Sequence, residues 1–148
     1  MDSFKSIPII DIGDIDGTNG AKIDKLVEQL KQTYGEIGFA YIVNHRIDPS
    51  LIEKLFQKSH EFHSLPYETK MEIELNELHR GFIPINTSTD RNSKLAKVKK
   101  PNQSESFIMM REANEDDPTV QKGDYLAGPN QWPFEIQGFR EALTSYFD

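Results

Sequence analysis

Two histidines spaced three residues apart are the first candidates for chemistry in this chain of 148 residues. His60 and His63 fall on one face of a predicted helix, and imidazoles that share a face can bind a metal such as zinc. The spacing is one residue shorter than that of the H-E-x-x-H motif, and no third ligand lies close by in the sequence. We therefore favour a structural role for the pair and predict no metal site.

Two charged segments suggest further kinds of binding. Residues 14–20 are acidic and rich in turn formers, but they lack the glutamate at the twelfth position of a calcium loop, which favours a solvated turn. Residues 86–103 show no periodicity, so they predict a flexible loop. Such a loop could attract an anionic substrate, although a solvated surface loop is the preferred interpretation. Its basic residues are Arg91, Lys94, Lys97, Lys99 and Lys100.

Composition limits the class of protein. The net charge of −7, from 17 basic and 24 acidic residues, argues against binding to nucleic acid or to an anionic membrane. The absence of cysteine excludes disulfides and thiolate metal sites. The apolar run at residues 7–10 is too short for a signal peptide or a membrane span. We therefore expect a soluble cytoplasmic chain.

Hydrophobic periodicity predicts the helices and strands that must position the candidate residues. Residues 21–37 form an amphipathic pattern that Thr18 or Asn19 can cap and that Gly38 can end. A buried strand is predicted at residues 39–43, and further strands at residues 7–12, 79–84 and 104–110. The predicted buried face of the first helix consists of Ile23, Leu26, Val27, Leu30, Tyr34 and Ile37.

Three prolines mark where further helices begin. Pro49 starts a helix that runs to about His63, Pro66 opens a short helix, and Pro133 starts the last one. Trp132 is expected to anchor a rigid loop before that last helix. The predicted buried faces are Leu51, Ile52, Leu55, Phe56 and Phe62 in the helix after Pro49, and Ile136, Phe139, Leu143 and Tyr146 in the last helix.

Five short motifs resemble the N-terminal half of the isopenicillin N synthase-like oxygenases, which use non-haem iron and mostly 2-oxoglutarate. Residues 38–47 are similar to G-F-x-x-V-x-N-H-G-I, and residues 62–70 to F-F-x-L-P-x-E-x-K. Residues 79–84 resemble R-G-Y-x-P, residues 104–107 resemble K-E-x-F with serine in place of lysine, and residues 128–133 match G-x-N-x-W-P. The motif residues singled out are Asn44, His45, Pro66, Gly81, Asn130, Trp132 and Pro133.

The resemblance implies an α+β fold in which amphipathic helices pack on strands that would complete a jelly-roll, or double-stranded β-helix, core. Residues 1–148 would form the N-terminal domain, and the catalytic β-helix domain would be missing. That domain supplies the H-x-D, distal histidine and R-x-S motifs of the family, and none of the four histidines here is followed by aspartate two residues later. We do not transfer the R-x-S role to Arg91-Asn92-Ser93, because in the family that pair follows the last iron-binding histidine.

The expected function is the N-terminal part of a 2-oxoglutarate/Fe(II)-dependent oxygenase, an oxidoreductase acting on a small molecule. The chain would support the β-helix and part of the substrate pocket, and would bind neither Fe(II) nor 2-oxoglutarate by itself. Its partner would be the catalytic domain or a second copy of the chain. Arg80 and Phe82 are candidates to face the substrate, with a structural ion pair as the alternative role of Arg80. A stand-alone, non-catalytic binding or adapter module is the alternative function.

Overall fold

The structure, a computed structural model, describes residues 6–87 and 100–147. The chain divides into two compact units, Met1–Asp48 and Pro49–Asp148, called here the N-terminal unit and the larger unit. Both mix helices with short strands, so the predicted α+β class is confirmed. No helix in the described part of the chain is long and apolar enough to cross a membrane.

The N-terminal unit consists of a helix and a two-stranded parallel sheet. Strand β1 (Ile9–Asp11) pairs in parallel with β2 (Tyr41–Val43), and helix α1 (Gly20–Glu36) connects them. Asn19 is the residue that caps α1, because its side chain accepts a hydrogen bond from the backbone N–H of Lys22. Glycine ends the helix as predicted, since Gly38 adopts a φ of 98° that other residues rarely reach.

The predicted burial of this unit is wrong at several positions. Val27 and Tyr34 of α1 are 43% and 50% exposed, and Tyr41 of the strand predicted to be buried is 60% exposed. Ile10 and Leu26 are its buried apolar side chains among the described residues. The amphipathic pattern therefore located the helix correctly but predicted a wider buried face than the unit contains.

The described part of the larger unit consists of four helices and a two-stranded antiparallel sheet. Helix α2 (Pro49–His63) is followed by α3 (Tyr67–Met71), and strands β3 (Gly81–Ile83) and β4 (Ser106–Ile108) pair with Phe82 opposite Phe107. Helix α4 (Pro118–Gln121) and helix α5 (Phe139–Phe147) complete it. Aromatic rings fill its core, which consists of Phe62, Phe82, Ile136 and Phe139 packed against Leu65, Met71, Ile73, Phe107, Trp132 and Leu143.

Three details of the larger unit differ from the prediction. The last helix begins at Phe139 rather than at Pro133, because Gly138 has a left-handed φ of 75° that interrupts any earlier helical turn. Phe56 and Tyr146, predicted to be buried, are 72% and 44% exposed. Helix α4 was not predicted, although Asp117 before Pro118 has the sequence of a capped helix start.

Candidate functional site

A tight turn at residues 76–80 positions Arg80. The side-chain oxygen of Asn76 accepts hydrogen bonds from the backbone N–H groups of Leu78 and Arg80, and His79 adopts a φ of 57°. Gly81 follows at a φ of 116°, and a side chain there would collide with Ile73 and Gln131. The glycine of the R-G-F segment is therefore required by close packing as well as by its backbone angle.

The guanidinium of Arg80 lies inside the larger unit, since the residue is 1% exposed. Its Nε donates to Oδ1 of Asn130 at 3.1 Å, Nη1 to the carbonyl of Leu78 at 2.8 Å, and Nη2 to the carbonyl of Arg111 at 3.4 Å. Burial lowers the pKa of Arg80, and the negative charge of Glu112 opposes that shift. The alternative of a structural ion pair is thus not seen among the described residues, in which the direct acceptors of Arg80 are carbonyl oxygens.

Asn130 and Gln131, from the G-P-N-Q-W-P segment, connect Arg80 to neighbouring backbone. Asn130 forms two bonds with Met110, accepting from its N–H at 2.9 Å and donating to its carbonyl at 2.8 Å. Nε2 of Gln131 donates to the carbonyls of Glu74 at 2.8 Å and Arg80 at 2.6 Å. Two adjacent amides therefore join three separate segments of backbone, which gives this motif a physical role.

Trp132 and Arg140 bind the same carboxylate. Nε1 of Trp132 donates to Glu112 at 3.2 Å, and the guanidinium of Arg140 donates to its other oxygen at 2.9 Å. The Arg140 guanidinium also lies 6.0 Å from the centre of the Trp132 ring. Trp132 anchors its loop as predicted, and Pro133 beside it is buried.

Phe82 lies in the aromatic core of the larger unit. It is fully buried, and its ring makes an edge contact with Phe62 at 5.9 Å and with Tyr67 at 6.4 Å between ring centres. Nζ of Lys70 lies 5.1 Å from the centre of the Phe82 ring. Of the two substrate-facing candidates, Arg80 lines a cavity of about 360 Å³, whereas Phe82 lies among these core contacts.

Glu105 forms a charged cluster that sequence analysis missed. Lys70, which is 6% exposed, donates to both oxygens of Glu105 at 2.7 and 2.9 Å, and Nδ1 of His63 lies 2.6 Å from one of them. Burial raises the pKa of Glu105, but the bonds from Lys70 and His63 more than offset this effect and lower it overall. Lys70 and Glu105 are 35 residues apart, so no local pattern could have revealed the pair.

The remaining motif residues have local structural roles. Nδ2 of Asn44 donates to Asp11 at 2.8 Å within the N-terminal unit, and Nδ1 of His45 accepts from the N–H of Ile47 at 3.1 Å. Pro66 occupies the position before α3, as predicted.

The described residues do not supply a metal site. No group of three histidine, aspartate or glutamate side chains within residues 6–87 and 100–147 is arranged to hold a metal ion. His63 is bonded to Glu105, whose two oxygens also accept from Lys70, so this cluster does not suit a metal ion. Arg91, Asn92 and Ser93 lie outside the described residues, as do Lys94, Lys97 and Lys99 of the predicted anion-attracting loop.

Comparison with known proteins supports the resemblance found in the motifs. The family model for the N-terminal domain of a non-haem dioxygenase in morphine synthesis matches residues 7–135. The chain is 33% identical over 145 residues to the 2-oxoglutarate-Fe(II) type oxidoreductase hxnY of Emericella nidulans, covering 95% of this chain and 40% of that protein. It is 30% identical over 158 aligned positions to a homoarginine-6-hydroxylase of Arabidopsis thaliana, covering 97% and 43%.

A solved structure shows the same fold. A full-length Neurospora crassa protein, crystallised in complex with alpha-KG and thymine, matches with a TM-score of 0.69 and 25% identity over 96% of this chain and 43% of that one. The chain therefore spans about 40% of the length of the curated relatives that it matches. With 129 of its 148 residues inside the family match, this chain belongs to the family of non-haem dioxygenase N-terminal domains.

Proposed function

We propose that this chain acts as the N-terminal part of a 2-oxoglutarate/Fe(II)-dependent oxygenase that oxidises a small molecule. The observation that carries the proposal is the match of residues 7–135 to the N-terminal domain of such enzymes, together with relatives that are more than twice as long. Both relatives described above have an oxidoreductase or hydroxylase activity in their names. The whole reaction would belong to the assembled protein.

In this proposal the chain supports a catalytic β-helix and forms part of the wall of the substrate pocket. Strands β3 and β4 would pack against that domain through their second face, since their Phe82–Phe107 face lies on the core while Ile83 and Ile108 on the other face stay partly exposed. Fe(II) and 2-oxoglutarate would be held by the partner domain, because the described residues here lack a suitable set of donors. Of the two predicted substrate-facing residues, Arg80 is proposed to contact the substrate, whereas Phe82, fully buried in the core, would act only by fixing β3.

The surface of the chain supports the need for such a partner. Several large apolar side chains are more than half exposed, and exposed apolar surface favours association where it is contiguous. They include Ile9, Tyr41, Phe56, Tyr125 and Phe134. We therefore expect the isolated chain to self-associate, and sedimentation measurements over a range of concentrations will show a mass that rises with concentration. A monomer with a sharp cooperative unfolding transition would favour the stand-alone module instead.

A hybrid protein tests the function itself. The chain replaces the segment of the Emericella nidulans oxidoreductase that aligns with it, 40% of that protein, and the rest of the oxidoreductase is kept. The proposal predicts that the hybrid folds and consumes 2-oxoglutarate when supplied with Fe(II), at a rate well above that of the truncated oxidoreductase. A hybrid that folds but turns over no faster than the truncated protein would contradict the proposal.

A further inference from the structure

The cavity beside Arg80 has the properties of a binding site for a small anion. Its volume of about 360 Å³ lies in the range of small-molecule sites. Met110, Ala113, Leu126 and Ala127 give it an apolar lining. We propose that this cavity binds a carboxylate attached to a small apolar body, with Arg80 as the residue that holds the carboxylate.

The charge of Arg80 is the main reason for this proposal. Buried charges in proteins are normally paired, because removing an ion from water is costly. The three direct acceptors of Arg80 in the described part of the chain are uncharged carbonyl oxygens. Glu112 acts on Arg80 through its charge but is bonded to Trp132 and Arg140. A carboxylate in the cavity would provide the missing direct partner.

The hydrogen-bonding capacity of Arg80 is also incompletely used. A guanidinium has five N–H donors, and three of them bind the carbonyls of Leu78, Arg111 and Asn130. Two donors, one on each terminal nitrogen, are thus left without an acceptor among the described residues. Charge-assisted bonds to a carboxylate suit this pair of donors because the fork of a guanidinium matches the two oxygens.

Four polar side chains from the segment at residues 111–125 complete the lining. Arg111 adds a second guanidinium, whose charge is paired with Asp117 at 2.9 Å and which also donates to the hydroxyl of Thr119 at 3.1 Å. Tyr125, which is 85% exposed, adds a phenol to the lining. Asp124 is exposed, and its negative charge repels an anion and so limits the affinity. Removal of this charge therefore gives a sensitive test.

This inference deepens the proposed function and rests on it only for the identity of the ligand, which would be the carboxylate group of the substrate. Binding itself is a property of this chain and can be measured without the catalytic domain. A negative binding test would not contradict the proposed function, which the hybrid protein tests. An inactive hybrid would not contradict the binding of an anion to this chain. The two results are therefore distinguishable.

Benzoate is a suitable probe, and uncharged benzamide of similar shape is its control. Binding is followed by NMR on the full 148-residue chain through the Nε–H signal of Arg80 and the backbone amides of residues 111–127. Benzoate is expected to shift these signals in a saturable manner, whereas benzamide at the same concentration is not. Equal shifts with both compounds, or shifts confined to other parts of the chain, would overturn the proposal.

Three substitutions sharpen the test. Arg80→Lys keeps the positive charge but loses the fork, and it should weaken benzoate binding roughly tenfold or more. Asp124→Asn removes the opposing carboxylate and should tighten binding by about threefold, the size of an exposed charge interaction. Asp116→Asn is the matched control, because it changes the net charge equally on the other side of α4 but does not line this cavity.

The comparison of Asp124→Asn with Asp116→Asn remains decisive even if Arg80→Lys does not fold. Asp124 and Asp116 are both exposed, so neither substitution is expected to disturb the fold. Tighter binding in Asp124→Asn than in Asp116→Asn supports the site. Equal affinities in these two variants would contradict it.

Discussion

The two units of the chain bury their apolar side chains to very different degrees. In the N-terminal unit Ile10 and Leu26 are buried, while Ile9 and Tyr41, which lie opposite each other in the sheet, are 61% and 60% exposed. In the larger unit a cluster of aromatic rings surrounds the fully buried Phe62. A two-stranded sheet is marginally stable by itself. The comparison indicates that the larger unit carries its own aromatic core, whereas the N-terminal unit buries few apolar side chains of its own.

The side-chain hydrogen bonds and ion pairs of the two units also differ in burial. Those of the N-terminal unit are exposed, for example the ion pair between Lys22 and Asp14 at 2.9 Å, and exposed pairs contribute little stability. Those of the larger unit include buried groups such as Lys70 and Arg80. Removal of one partner of a bond is therefore expected to lower the free energy of unfolding far more in the larger unit.

Truncation of Phe62 should give the largest effect. Its ring contacts those of Phe82, Phe107 and Phe139 at 5.1–5.9 Å between centres, so Phe62→Ala leaves a cavity in the core. We expect it to lower the free energy of unfolding by about 3–5 kcal/mol, measured by urea denaturation. Phe56→Ala on the same helix is the control and should cost less than about 1 kcal/mol, because Phe56 is 72% exposed. Similar losses in both variants would show that the aromatic cluster is not the core.

Removal of the charge of Glu105 should have the next largest effect. Glu105→Gln leaves the ammonium of Lys70 buried without its carboxylate and places an amide donor beside it. We expect a loss of about 2–4 kcal/mol in the free energy of unfolding. Asp14→Asn removes the carboxylate from the exposed pair with Lys22 and should change stability far less. Equal effects would contradict the view that the Lys70–Glu105 pair matters because it is buried.

The same variant should change the response to acid. The pKa of Glu105 in the folded chain is below its ordinary value of 4.5, so its ionised form stabilises the fold at any pH above that value. This contribution is lost as the pH falls through the lowered pKa, when the carboxylate becomes protonated. Urea denaturation at several pH values below 4.5 should therefore show that the free energy of unfolding falls less with acid in Glu105→Gln than in the parent chain. Parallel curves would show that Glu105 does not contribute to acid sensitivity.

The cap of α1 should give the smallest effect, confined to the N-terminal unit. Asn19→Ala removes the acceptor for the N–H of Lys22 and should cost about 1 kcal/mol. Hydrogen exchange of the amides in the first turn of α1 reports this loss directly. Thr18→Ala is the matched control and should leave exchange unchanged. If Thr18→Ala has the larger effect, the assignment of the cap is wrong.

Sequence alone predicted the features that depend on local patterns. Helices α1 and α2 followed from their periodicity, and the turn residues Asn19, Gly38 and Pro66 marked helix boundaries correctly. The spacing of apolar residues could not show which of them are buried, because burial depends on side chains that are distant in sequence. Phe56 illustrates this, since it shares the apolar pattern of α2 but is left in solvent.

The candidate site was only partly predictable for the same reason. The G-P-N-Q-W-P motif identified Asn130 and Trp132, and their hydrogen bonds now explain the motif. Two of the three acceptors of Arg80, those on Asn130 and Arg111, and the pairing of Lys70 with Glu105 bring together segments 31 to 50 residues apart. Such contacts are a property of the folded chain and leave no periodic signal.

The most direct test of the central claim, that this chain is the non-catalytic N-terminal part of an oxygenase, is an anaerobic titration with Fe(II) and 2-oxoglutarate. A bound complex of the two gives a metal-to-ligand charge-transfer absorbance band. We predict no stoichiometric band for this chain, because its described residues offer no set of three suitable ligands. A stoichiometric band would contradict the account and direct attention back to His60 and His63.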